Sequence, residues 1–84
     1  MKKLSVEEVS SILFLADPMG TGCQENDVKD EYQSEAYKIV SLIKLWFDVQ
    51  PSVIFVFEHS FWSGCLSNVE LEEIVANINE LVIE

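Results

Sequence analysis

His59 is the only histidine in the chain, so any Ser–His or Cys–His nucleophile pair has to use it. Its neighbour Ser60 is no partner, because adjacent side chains on a helix diverge. Cys23, Cys65 and His59 with a carboxylate could in principle hold zinc, but no C-x-x-C or H-x-x-x-H spacing supports such a site. The run Asp27-Val28-Lys29-Asp30-Glu31 lacks the alternating acidic register and glycine of an EF-hand loop. Gly20, Gly22 and Gly64 build neither a P-loop nor a dinucleotide fingerprint. The expectation is therefore a protein that is not an enzyme, with no catalytic residue, no metal and no cofactor.

Charge is the more informative chemistry. Fifteen carboxylates face five lysines and no arginine, for a net charge of −10. That balance argues against binding nucleic acid by phosphate neutralisation and against a basic membrane-surface helix. It favours a basic partner instead. The distribution is uneven. Asp17, Glu25, Asp27, Asp30, Glu31 and Glu35 stand against Lys29 alone, and no lysine follows Lys44. Part of this has a plain structural account. Asp27 or Asp30 can cap a helix, Glu31 can sit in its first turn, and Glu72, Glu73 and Glu80 can form a solvated face. The near-absence of compensating cations is left over, and a one-signed surface suits electrostatic steering of a basic partner. Phe55, Phe57, Phe61 and Trp62 are mostly expected in the core, whereas Tyr32, Tyr37 and Trp62 carry polar handles that also suit an interface.

These residues need elements to hold them. The apolar spacing predicts helices near 5–16, 30–48, 51–63 and 67–82. In the first, Val6, Val9, Ile12, Leu13 and Ala16 share a face, and Asp17-Pro18 ends it because the residue before proline is pushed out of the α region. Tyr32, Ala36, Ile39, Val40, Ile43, Trp46 and Phe47 line the second; Leu42 and Leu45 on its other side suggest a central position. The last has Leu71, Ile74, Val75, Ile78, Leu81 and Val82. Ser5 with Glu8 and Ser67 with Glu70 form two capping boxes, with Leu4–Val9 and Leu66–Leu71 as hydrophobic staples. Val53 to Phe57 has strong β propensity. However, a lone strand has no partner, Pro51 suits a first helical turn, Val53, Ile54, Phe57 and Phe61 fit one helical face, and Gly64 can stop a helix. The expected fold is all-α: a single compact four-helix domain over residues 1–84. Its connection from Asp17 to Lys29 has the length of a functional loop.

Two cysteines are too few for a secreted disulfide scaffold; free thiols in a reducing compartment are favoured over one bridge. The N-terminal Met1-Lys2-Lys3 imitates a signal peptide, but Glu7, Glu8, Ser10 and Ser11 leave only Ile12 to Ala16 as an apolar run. A cytoplasmic protein is expected, with no membrane partner. Size, acidity and four helices also suggest an acyl carrier protein. Yet Ser41-Leu42 follows Val40 in mid-helix and Ser67 follows Leu66, so the Asp-Ser-Leu attachment motif is missing.

Asp17-Pro18-Met19-Gly20, then Asp30-Glu31-Tyr32 and Glu35-Ala36, read as D-P-x-G…D-E-Y-x-x-E-A. This pattern resembles a family of small, uncharacterised bacterial helical proteins. The segment Phe57-Glu58-His59-Ser60-Phe61-Trp62-Ser63-Gly64-Cys65-Leu66 is similar to small immunity proteins of contact-dependent growth inhibition systems. Together the two matches span somewhat over a third of the chain. The resemblance implies a protein made beside a secreted toxin, which binds the toxin's C-terminal domain, commonly a basic nuclease, and neutralises it. It implies no catalytic residues. Asp17 and Tyr32 can equally be structural, locking the long loop onto the bundle.

The partner-binding set expected on this reading is Asp17, Glu25, Asp27, Asp30, Glu31, Tyr32, Glu35 and Trp62. The partner is a cognate toxin domain, bound by a monomer without direct contact to nucleic acid. Occlusion of the toxin's active site and occupation of a separate surface are both open. The alternative is a small acidic adaptor or regulatory module that binds a host protein through a helix face.

Overall fold

A computed structural model describes residues 4–46 and 48–83. It contains four helices: α1 (Val6–Ala16), α2 (Gln33–Trp46), α3 (Val49–Ser60) and α4 (Asn68–Ile83). No strand occurs among the described residues. Each helix packs on its chain neighbours, and α1 also meets α4, so the four close into a ring around one core. That core is built from Val9 and Leu13, then Ala36, Ile39, Val40 and Ile43, then Val53, Val56 and Phe57, and finally Ile74 and Ile78. These are the apolar stripes of the sequence at helical spacing. Phe47 and the side chains of Trp46 and Val82, assigned to the same stripes, lie outside what is described.

Both serines cap their helices, and at Ser67 the capping box is reciprocal. The Ser5 hydroxyl accepts the Glu8 amide at 3.1 Å and donates to the Glu8 carboxylate at 3.0 Å. The Ser67 hydroxyl accepts the Glu70 amide at 3.2 Å, while the Glu70 carboxylate accepts the Ser67 amide at 3.1 Å. Leu4, Leu66 and Leu71 pack against the core beside them, as hydrophobic staples require.

The segment 51–62 is helical to Ser60, not extended. Asp48 is the N-cap, which puts Pro51 in the first turn where a missing N–H is harmless. The Ser52 hydroxyl, fully buried, donates to the Asp48 carbonyl at 2.7 Å. Three expectations are corrected. First, α3 stops at Ser60 and not at Gly64, which turns later in the loop with φ 74°. Second, the buried face of α3 is set by Val49, Val53, Val56 and Phe57, so Phe61 (37% exposed) leaves the core and Phe55 and Trp62 stand further out. Third, α2 begins at Gln33, three residues later than expected. Neither Asp27 nor Asp30 is its N-cap, and Glu31 precedes its first turn, which holds Glu35. The first helical bond runs from the Ala36 amide to the Tyr32 carbonyl. Tyr32 occupies the cap position because its ring is anchored in the core.

Cys23 and Cys65 are free thiols. No helix among the described residues is long and apolar enough to cross a membrane.

Candidate protein-binding surface

Asp17 terminates α1, but not by the extended conformation that a following proline usually imposes. It adopts the left-handed region (φ 42°, ψ 58°), which aspartate tolerates better than most residues, and its amide closes on the Leu13 carbonyl at 2.8 Å. Pro18 is buried behind it. This turn aims the Asp17 carboxylate back over the following loop. One oxygen accepts the Thr21 amide at 3.0 Å, the Thr21 hydroxyl at 2.9 Å and the Tyr32 hydroxyl at 2.7 Å. The other accepts the Gly22 amide at 3.0 Å, from a residue whose φ of 73° favours glycine. The Tyr32 oxygen in turn accepts the Met19 amide at 3.0 Å.

Burial works to raise the Asp17 pKa, but the hydrogen bonds from Tyr32, Thr21 and Gly22 favour the charged form and together hold it at about 2. Burial, then the bond to the Asp17 carboxylate, push the Tyr32 phenol up. Tyr32 is therefore a neutral donor beside a carboxylate that stays ionised at any physiological pH.

Gln24 fastens the next stretch. Its side-chain amide donates to the Phe14 and Leu15 carbonyls at 3.1 and 2.6 Å, filling acceptors that the end of α1 leaves open. From there the backbone runs through successive tight turns. Val28 bonds to Cys23 at 2.8 Å, Glu31 to Val28 at 3.3 Å and Gln33 to Asp30 at 3.1 Å. Glu25, Asp27, Asp30 and Glu31 all face solvent on this clamped ribbon, with Asp27 in the left-handed region at φ 56°.

The expected binding residues thus separate by position. Glu25, Asp27, Asp30 and Glu31 are exposed together on one segment, and Trp62 is 61% exposed in the α3–α4 connection. Glu35 and Asp17 are half-buried. Tyr32 is 1% exposed, so it lies in the core and not on the surface; its hydroxyl is committed to Asp17 and Met19. Comparison with family models, curated proteins and solved structures finds no match to this chain.

An aromatic file joins these parts. Tyr32 meets Phe57 with ring centroids 6.2 Å apart, Phe57 stacks on Phe61 at 5.6 Å, and Phe61 meets Trp62 edge-on at 6.3 Å. The lock beneath the acidic ribbon is thus continuous, through the core, with the exposed indole. Thr21 carries no signal of its own in the sequence, although an Asp followed by Pro and Gly signals a turn whose side chain bonds forward. His59 is exposed on α3, its Nδ1 3.0 Å from the Phe55 carbonyl oxygen and its ring 4.0 Å from the Phe55 ring. Beside it, an open cleft of about 280 Å³ between α2 and α3 is bordered by Tyr37, Leu42, Phe55 and Val56. Among the described residues, no group of three His, Cys, Asp or Glu side chains is placed to hold a metal ion.

Proposed function

We propose that this protein is an acidic binding module that neutralises a basic protein, in the manner of an immunity protein acting on the C-terminal domain of a cognate toxin in bacterial competition. The observation that carries the reading is the cluster of exposed carboxylates at Glu25, Asp27, Asp30 and Glu31 on a segment held in place by the Asp17–Tyr32 lock. A loop ordered before binding loses less entropy on association than a free one. Its charge, within a chain of net −10, speeds encounter with lysines and arginines. Trp62 supplies the exposed aromatic anchor that such interfaces use for affinity. Residence in the cytoplasm belongs to the same reading, since free thiols persist there.

Co-purification from the native strain with this protein tagged, followed by mass spectrometry, tests the proposal. A basic toxin fragment whose activity is abolished by stoichiometric addition of the protein is the expected result. A second reading, a regulatory adaptor for a host protein, is favoured by the α2–α3 cleft with its exposed Tyr37 and Phe55. Recovery of a non-toxic housekeeping protein alone would decide for it.

A further inference from the structure

Where α1 and α4 close the ring, their outer edges leave an open groove of about 440 Å³. Its apolar surface comes from Ile12, Leu15 and Ala16 of α1 and Leu81 of α4, and Glu73 and Glu80 of α4 border it. Leu15 is 69% exposed. It follows the buried Leu13 by two positions, which rotates it by roughly 200° away from the core stripe. Glu73 and Glu80 are both exposed and sit about 10 Å apart along one edge of α4, two turns of helix. The groove joins these four apolar residues to a polar lining of Glu8, Ser11, Asn77 and the two glutamates over two turns of α4, the scale of a helix-in-groove site.

We propose that this groove receives a cationic amphipathic helix of the partner. Apolar side chains spaced three, four and seven residues apart would lie along Ile12, Leu15 and Leu81, and flanking lysines or arginines would meet Glu73 and Glu80. The proposal rests on the reading of a basic partner and adds which of its elements docks here. Charge selects the occupant. A second copy of this chain brings another −10, and an acidic helix or anionic lipid surface meets the same repulsion. A neutral apolar helix forgoes the attraction at the rim.

The test uses a synthetic Leu/Lys amphipathic peptide of about 15 residues, roughly four helical turns, and a Leu/Glu peptide of the same pattern. Each is titrated into the full chain labelled with ¹⁵N. The expected result is amide shifts concentrated at Ile12, Leu15, Asn77 and Leu81 with the Leu/Lys peptide, and none with the Leu/Glu peptide. Leu15→Ser, and separately Glu73→Gln with Glu80→Gln, should weaken binding about tenfold, as loss of an interface anchor does. All three positions are exposed, so the variants should keep the parent's thermal transition. Shifts confined to 25–31, shifts absent altogether, or variants that bind as tightly as the parent would each overturn the groove. None of these touches the basic-partner reading, which fails separately if co-purification returns no basic protein.

Discussion

The Tyr32 hydroxyl donates to the Asp17 carboxylate at 2.7 Å across fifteen residues of chain, and it does so from a ring buried against Phe57. One hydrogen bond thus ties the end of α1, the acidic ribbon and the start of α2 to the same point of the core. The carboxylate it reaches is also the hub for the Thr21 and Gly22 amides.

Tyr32→Phe keeps the ring and removes the donor, leaving Asp17 one bond short and the Met19 amide without its acceptor. A loss of about 1–3 kcal/mol in urea unfolding is expected, the range for losing a hydrogen bond to a charged group. Asp17→Ala, which removes the acceptor itself, should cost at least as much. The two should be clearly non-additive in a double-mutant cycle, because each removes the same contact. Additive losses would mean that the bond contributes nothing beyond its separate parts.

Acid titration gives a second expectation. The Asp17 pKa is about 2 in the folded protein against 3.8 ordinarily, so below pH 4 the unfolded chain binds the extra proton first. Stability from this group is complete above about pH 4 and falls as pH drops through the folded value near 2. Differential denaturation of the parent and Asp17→Asn across pH 2 to 6 should show curves that converge toward the acid end. A constant gap between them would show that Asp17 contributes through packing and not through its charge.

Much of this arrangement was legible in the sequence. Ser5–Glu8 and Ser67–Glu70 marked two helix starts because a capping box needs only neighbours three residues apart. Locking of the loop by Asp17 and Tyr32 is readable as an alternative, and Tyr32 falls on the apolar stripe of the second helix. Its polar handle equally suits an interface, and only the packing of its ring against Phe57 decides for the core. The start of α2 is less legible. Local acid residues signal a cap at Asp27 or Asp30, but the anchoring of Tyr32 fixes where the helix begins. The exposure of Phe55 and Phe61 is hidden because Val53 to Phe57 are five apolar residues in a row, so periodicity leaves the rotation of α3 undetermined. Leu15 carries a signal of its own: a leucine off the α1 stripe.

Charge reversal at Asp27, Asp30 and Glu31 should act mainly on binding, because all three are exposed; a lysine at the left-handed Asp27 (φ 56°) adds a backbone cost of about 1 kcal/mol. On the basic-partner reading, the Asp27→Lys, Asp30→Lys, Glu31→Lys variant should associate at least about tenfold more slowly at low salt, with a flatter salt dependence. Dissociation should change much less. Stopped-flow mixing at several ionic strengths measures both. Unchanged association in a folded variant would take the ribbon out of the encounter surface.

Trp62 and Phe57 share the aromatic file yet should respond oppositely to truncation. Phe57 is fully buried between Tyr32 and Phe61, so Phe57→Ala should destabilise by about 3–5 kcal/mol through the cavity it leaves. Trp62 touches the file only by its edge contact with Phe61 and is 61% exposed, so Trp62→Ala should shift stability by less than about 1 kcal/mol. If Trp62 is an interface anchor, the same change should cost about 2 kcal/mol or more of partner affinity, read mainly as faster dissociation. Thermal melts and surface-plasmon dissociation rates on the two variants separate these effects. Loss of stability without loss of affinity at Trp62 would make the indole a cover for Phe61 and remove it from the binding surface.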